Sequence, residues 1–109
     1  MMALLSKDEI RQTVQAVLPL LDVLSQCPER LPEPTKTRLF RVAHGAMMAL
    51  TDDEVRSLEV LMLTGRDGEA YDQEGYDLLP WAGKEEAIDY LLEKYPLPDY
   101  LRRGLGRMG

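Results

Sequence analysis

The side chains that could do chemistry in this chain are few, and most of them are acids. Asp67, Glu69, Asp72 and Glu74 are closely spaced around Gly68 and Gly75, a pattern that could turn carboxylates toward a divalent cation. A calcium loop also needs a mid-loop glycine and a closing bidentate acid about twelve residues from its start. Gly75 comes too early for a loop begun at Asp72, and no glutamate stands twelfth from Asp67 or Asp72. These acids are expected to be solvated, and no metal site is expected from them. The sole histidine, His44, invites a general-base role, which requires a nucleophile or an orienting acid within reach. Its neighbours on a helix would be Arg41, Met47 and Met48, and none of these activates a nucleophile. The one cysteine, Cys27, lies among prolines, and nothing places it beside His44. No catalytic residue and no cofactor is expected.

Other chemistries fail on residue type. Structural zinc takes about four Cys or His ligands, and this chain has one Cys and one His. A phosphate loop needs G-x-x-x-x-G-K-[ST], whereas Gly83-Lys84 is followed by Glu85 and lacks the upstream glycine. No G-x-G-x-x-G opens a helix. Arg38, Arg41, Arg102, Arg103 and Arg107 form the main basic groupings. A helix-turn-helix would present the helix that opens Asp52-Asp53-Glu54 to phosphates, with three negative charges in its first turn. Direct nucleic-acid binding is therefore not expected.

The charge is local. Residues 52–77 carry nine acids and two bases, a formal −7 in a chain whose total is −6. Tyr71, Tyr76 and Trp81 lie within or just beyond this stretch, and such aromatics recur in interface hot spots. The 109 residues suit one domain. The lone cysteine excludes an internal disulfide and fits a reducing cytoplasm. The longest apolar runs, such as Val60-Leu61-Met62-Leu63, fall far short of the roughly 20 residues of a membrane span. The N-terminus lacks the pattern of a secretory signal.

The elements that would position these residues read as helices divided by proline and glycine. Ser6 with Glu9 forms a capping box ahead of the stripe Ile10, Val14, Val17, Leu18, Leu21 and Leu24. Pro19 lies inside that stripe and predicts a kink. The segment 27–34, with Pro28, Pro32 and Pro34, predicts an extended connector. A second helix begins near Pro34 with Leu39, Ala43, Ala46, Met47 and Leu50 inward. Thr51 with Glu54 caps a third, which should stop at Gly65. That third helix is apolar nearly all round in its last turns, so it should be buried on most sides. Residues 66–83 read as an acidic loop region with a short helix from about Asp72 to Leu79. A fifth helix runs from about Lys84 to Tyr95. A last short one spans Asp99 to about Leu105, with a frayed tail over 104–109. The fold class is all-α, a single domain of five or six short helices.

Three segments carry a likeness. Leu50-Thr51-Asp52-Asp53-Glu54 leads into Leu58-Glu59-Val60-Leu61-Met62-Leu63-Thr64-Gly65-Arg66-Asp67-Gly68. Later, Ala87-Ile88-Asp89-Tyr90-Leu91-Leu92 precedes Tyr95-Pro96-Leu97-Pro98-Asp99-Tyr100-Leu101 and Gly104-Leu105. Together they resemble the bacterial family named domain of unknown function 3775, over roughly the C-terminal half. Gly65-Arg66-Asp67-Gly68 here stands where the family orders its residues Gly-Arg-Gly-Asp. The resemblance implies a helical fold and brings no activity with it.

These observations together predict a small cytoplasmic, non-enzymatic protein-protein interaction module. Asp67, Glu69, Asp72, Glu74, Tyr71, Tyr76 and Trp81 are its expected contact residues, and its partner is an unidentified protein. The alternative is an inhibitor of mobile-element type that masks the basic nucleic-acid-binding surface of its target. Broad apolar faces on the second and third helices also raise the expectation of a homodimer.

Overall fold

The computed structural model describes residues 3–26, 32–94 and 96–109. Over these the chain forms α1 (Lys7–Gln26), α2 (Glu33–Met48), α3 (Asp52–Asp67), α4 (Gln73–Leu78), α5 (Lys84–Glu93) and α6 (Leu97–Met108). No strand occurs among the described residues. The all-α expectation is met.

The starts of α1 and α3 follow from side-chain chemistry. Ser6 Oγ accepts from the Glu9 amide at 3.2 Å, and Glu9 Oε1 accepts from the Ser6 amide at 2.9 Å. Thr51 and Glu54 make the same reciprocal pair at 3.1 and 2.9 Å. Each box satisfies amides that the helix itself leaves open. The end of α2 is closed from another element. Lys84 Nζ donates to the carbonyls of Met48 at 2.8 Å and Leu50 at 2.9 Å.

Helix α3 is the hub. Val55, Leu58, Leu61 and Met62 are buried with Ile10, Val14, Val17 and Leu21 of α1, Met47 of α2, Ile88 and Leu91 of α5, and Leu101 of α6. Its closest neighbour is α6. A Cβ built on Gly65 would overlap the Tyr100 carbonyl, and one on Gly104 would stand 2.5 Å from the Leu61 carbonyl oxygen. The two helices meet backbone to backbone, at a separation only glycine allows.

That crossing explains two departures from the sequence reading. Gly65 does not end α3. It is spent on the contact, and the helix runs to Asp67, where Gly68 takes the left-handed cap at φ 77°. The expected frayed tail over 104–109 is also wrong: α6 continues to Met108, and Gly104 and Met108 are buried. Arg107 Nη1 fastens this end by donating to the carbonyls of Thr64 at 2.6 Å and Gly65 at 3.1 Å. Tertiary packing overrides the low helix propensity of Gly104 and Gly106.

Other boundaries differ less. α1 runs through Pro19, which is exposed, without splitting. Of the connector expected over 27–34, Pro32 caps α2 and Glu33 and Pro34 belong to its first turn. Residues 27–31, Cys27 included, lie outside the described residues, as does Tyr95, the expected end of α5. Asp72 caps α4, its Oδ1 accepting from the Gly75 amide at 2.8 Å.

Gly104→Ala is expected to lower the unfolding free energy by about 2–3 kcal/mol, or to abolish cooperative folding, because backbone must move aside for the methyl group. Gly45→Ala, where an added Cβ meets nothing within 4 Å, is expected to raise it by about 0.5–1 kcal/mol. Urea denaturation followed by circular dichroism measures both.

Candidate functional site

The acids singled out in the sequence do not converge. Asp67 is paired with its neighbour Arg66, two hydrogen bonds at 3.1 and 3.0 Å, and the guanidinium holds its carboxyl below the usual range. Asp72 is used as the α4 cap. Glu69 and Glu74 are exposed. Among the described residues, no three His, Cys, Asp or Glu side chains are grouped so as to hold a metal ion.

The three aromatics part company as well. Tyr76 is wholly buried, and its hydroxyl donates to Asp53 Oδ1 at 2.9 Å. Burial, with Asp53 beside it, raises its phenol. Tyr71 is half-buried and donates to the Leu5 carbonyl at 2.9 Å, with burial pushing its phenol up to about 12. Both are structural: Tyr71 ties the chain ahead of α1 to the loop after α3, and Tyr76 fixes α4 on α3. Tyr71 and Glu69 border one open concavity, against Lys7 and Arg107, and Trp81 lines a separate one.

That concavity is a groove of about 410 Å³. One side is α3, through Glu59 and Leu63. The second is the segment after α4, through Leu79, Pro80 and Trp81. The third is α5, through Glu86, Ala87 and Tyr90. Arg56 builds the second wall. Its Nε donates to the Tyr76 carbonyl and its Nη2 to the Leu79 carbonyl, both at 3.1 Å. Its guanidinium carbon lies 4.6 Å from the Tyr76 ring centre and 5.6 Å from that of Trp81. One arginine on α3 thus draws the end of α4 and the tryptophan against its own helix. At the α5 side, Lys94 Nζ lies 4.2 Å from the Tyr90 ring centre. Arg66 reaches the Tyr90 hydroxyl, so the Arg66–Asp67 pair borders the groove.

Glu59 is the unusual member. It is 7% exposed, yet it borders an apolar groove. Burial pushes its carboxyl up to about 7, and the nearby Arg56 charge offsets this only in part. A carboxylate so placed is costly when ionised, unless something entering the groove compensates it. Sequence reasoning counted Glu59 among the acids of 52–77 and went no further. The signal was present: Glu59 is the one charge within Leu58-Glu59-Val60-Leu61-Met62-Leu63, on a helix already read as buried nearly all round.

His44 has an acid after all. Its Nε2 lies 3.4 Å from Asp89 Oδ1 of α5, and its ring stacks on Phe40 with centroids 6.3 Å apart. The pair joins α2 to α5.

Comparison of the chain with models of protein families, with curated proteins and with solved structures finds no match.

Glu59 gives stability a distinctive pH dependence. An unfolded glutamate releases its proton near 4.5, whereas the folded protein keeps it to about 7. Between those values the folded state binds more protons, so stability falls as pH rises. The contribution is whole below about 4.5 and is lost through about 7. Glu59→Gln is expected to remove this decline and to be the more stable protein at pH 8, by on the order of 1–2 kcal/mol after screening at the open groove. Urea midpoints from pH 5 to 8 test the sign.

Proposed function

We propose that this protein is a non-enzymatic interaction module that binds another protein across the Trp81 groove. The observation that carries the reading is the groove itself, about 410 Å³ of largely apolar wall holding a buried carboxylate. Specific interfaces are anchored by aromatic side chains set in desolvated pockets, and Trp81 and Tyr90 supply such anchors. The acidic stretch starts at its edge, where Asp67 holds Arg66 at the Tyr90 hydroxyl. Exposed Glu69 and Glu74 extend negative charge beyond it and would steer a basic partner toward the groove. A cytoplasmic location belongs to the same reading and is supported by the single cysteine. Membership of the domain of unknown function 3775 family also belongs here, supported by the Leu58–Gly68 and Ala87–Leu105 segments, and it adds no chemistry.

A second reading is self-association through α2, supported by Phe40 and Val42, which are 42% and 49% exposed. A monomeric mass in light scattering of a concentrated sample overturns it.

Capture of partners from lysate by the tagged protein, with Trp81→Ala and Glu69→Gln/Glu74→Gln variants in parallel, tests the main reading. A partner held by the parent is expected to be lost with Trp81→Ala and captured more slowly by the double variant. Equal capture by the parent and Trp81→Ala sinks the groove as the docking face.

A further inference from the structure

We propose that the groove receives the guanidinium of an arginine presented by a partner protein, with Glu59 as its counter-charge and the rings of Trp81 and Tyr90 as its walls. The inference rests on the interaction-module reading and specifies what enters the groove.

Three observations carry it. The first is the composition of the site. Its two ionisable carboxylates are Glu59, sunk against α3, and Glu86, exposed on α5. The rest of the lining is apolar or aromatic, apart from the Tyr90 hydroxyl. A carboxylate below and aromatic faces beside it match a cation with a planar, weakly hydrated head.

The second is the use the protein already makes of the same aromatics. Arg56 stacks on Trp81, and Lys94 stands over Tyr90. Each ring therefore lies within a cation's reach in the folded chain. Arg56 is committed through Nε and Nη2 to the carbonyls of Tyr76 and Leu79, and Arg66 is held by Asp67 in a two-bond pair.

The third is burial. Glu59 is 7% exposed and lines the groove, and burial, offset only in part by the Arg56 charge, lifts its carboxyl to about 7. A guanidinium entering the groove would bring two parallel N–H donors to the two carboxylate oxygens. Its charge would offset the effect of burial on the carboxyl while its planar face meets the aromatic walls. An ammonium carries a tighter hydration shell and offers no planar face, so arginine is favoured over lysine.

Trp81 is the only tryptophan in the chain, so its fluorescence reports on the groove without a label. The probe is a blocked seven-residue peptide of glycine and alanine with one central arginine, titrated at pH 8 against the full chain. Two companion peptides carry citrulline or lysine at the same place. The expected result is a saturable change in Trp81 emission with the arginine peptide. Binding should weaken at least tenfold with citrulline, which keeps the shape and loses the charge, and measurably with lysine. Glu59→Gln should weaken the arginine peptide at least tenfold and leave the citrulline peptide unchanged. Cooperative urea unfolding of Glu59→Gln shows that this loss is not a loss of fold.

Equal binding of the arginine and citrulline peptides overturns the proposal, as does unchanged arginine binding by Glu59→Gln. Failure of the arginine peptide to saturate at millimolar concentration also overturns it. Lysine binding as tightly as arginine overturns the choice of guanidinium. If a lysate partner is lost with Trp81→Ala and retained by Glu59→Gln, the interaction module stands and the arginine assignment falls. If that partner is retained by Trp81→Ala, the module reading itself falls.

Discussion

The close crossing of α3 and α6 is the constraint on which the rest of the molecule depends. Gly65 and Gly104 let two backbones meet where any side chain would hold them apart. With the helices that close, Leu61 and Leu101 are driven to full burial, and Arg107 can reach the carbonyls of Thr64 and Gly65. The opposite flank of α3 is then left to α5 and to the segment that follows α4. Because α3 is surrounded, each of its faces has a task. Val55 and Leu58 join the main core, Ser57 receives the chain ahead of α1 at 3.0 Å, and Glu59 and Leu63 face the groove. A core helix with a carboxylate on one face gives up some stability when that group is ionised.

The groove is held by polar bonds as well as by the packing of Ile88 and Leu91 in the core. Arg56 grips two carbonyls at the end of α4 and stacks on Tyr76 and Trp81. This fixes the tryptophan wall at a set distance from α3. Lys84, at the start of α5, grips the end of α2 and so anchors the opposite wall to a different part of the bundle. Two cationic side chains, each satisfying two backbone carbonyls, therefore tie both walls of the site to the bundle. A preorganised cleft of this kind loses little conformational freedom when it binds, which favours affinity.

Much of the architecture could be read from local signals, and the misreadings share one cause. Capping boxes at Ser6 and Thr51 and the Asp72 cap involve residues three apart, so the sequence displays them directly. The apolar girth of α3 was legible in Leu58 through Leu63. The end of α3 and the length of α6 were misread because glycine has two uses, as a helix stop and as a point of close approach, and only tertiary structure distinguishes them. The site was harder for the same reason. Glu59, Trp81 and Tyr90 lie far apart in sequence and belong to three different elements. Tyr76 and Tyr71 looked like surface anchors because nothing local shows that Asp53 and the Leu5 carbonyl await their hydroxyls. His44 looked isolated because its acid, Asp89, comes from α5.

The ties made by the first residues bear on the order in which the fold is assembled. Leu4 and Leu5 bond to Gln73, Ser57 and Tyr71, and Asp22 of α1 pairs with Arg102 of α6 at 2.6 Å. These partners are 52 to 80 positions later in the chain. During synthesis, α1 is therefore made well before two of the helices, α3 and α6, that cover its apolar stripe. α2 packs on α1 as soon as it follows, but Ile10, Val14, Val17 and Leu21 are fully covered only once α3 and α6 have joined the cluster. Closing such long loops costs entropy, so α1 reaches its full set of contacts only after α6 is made.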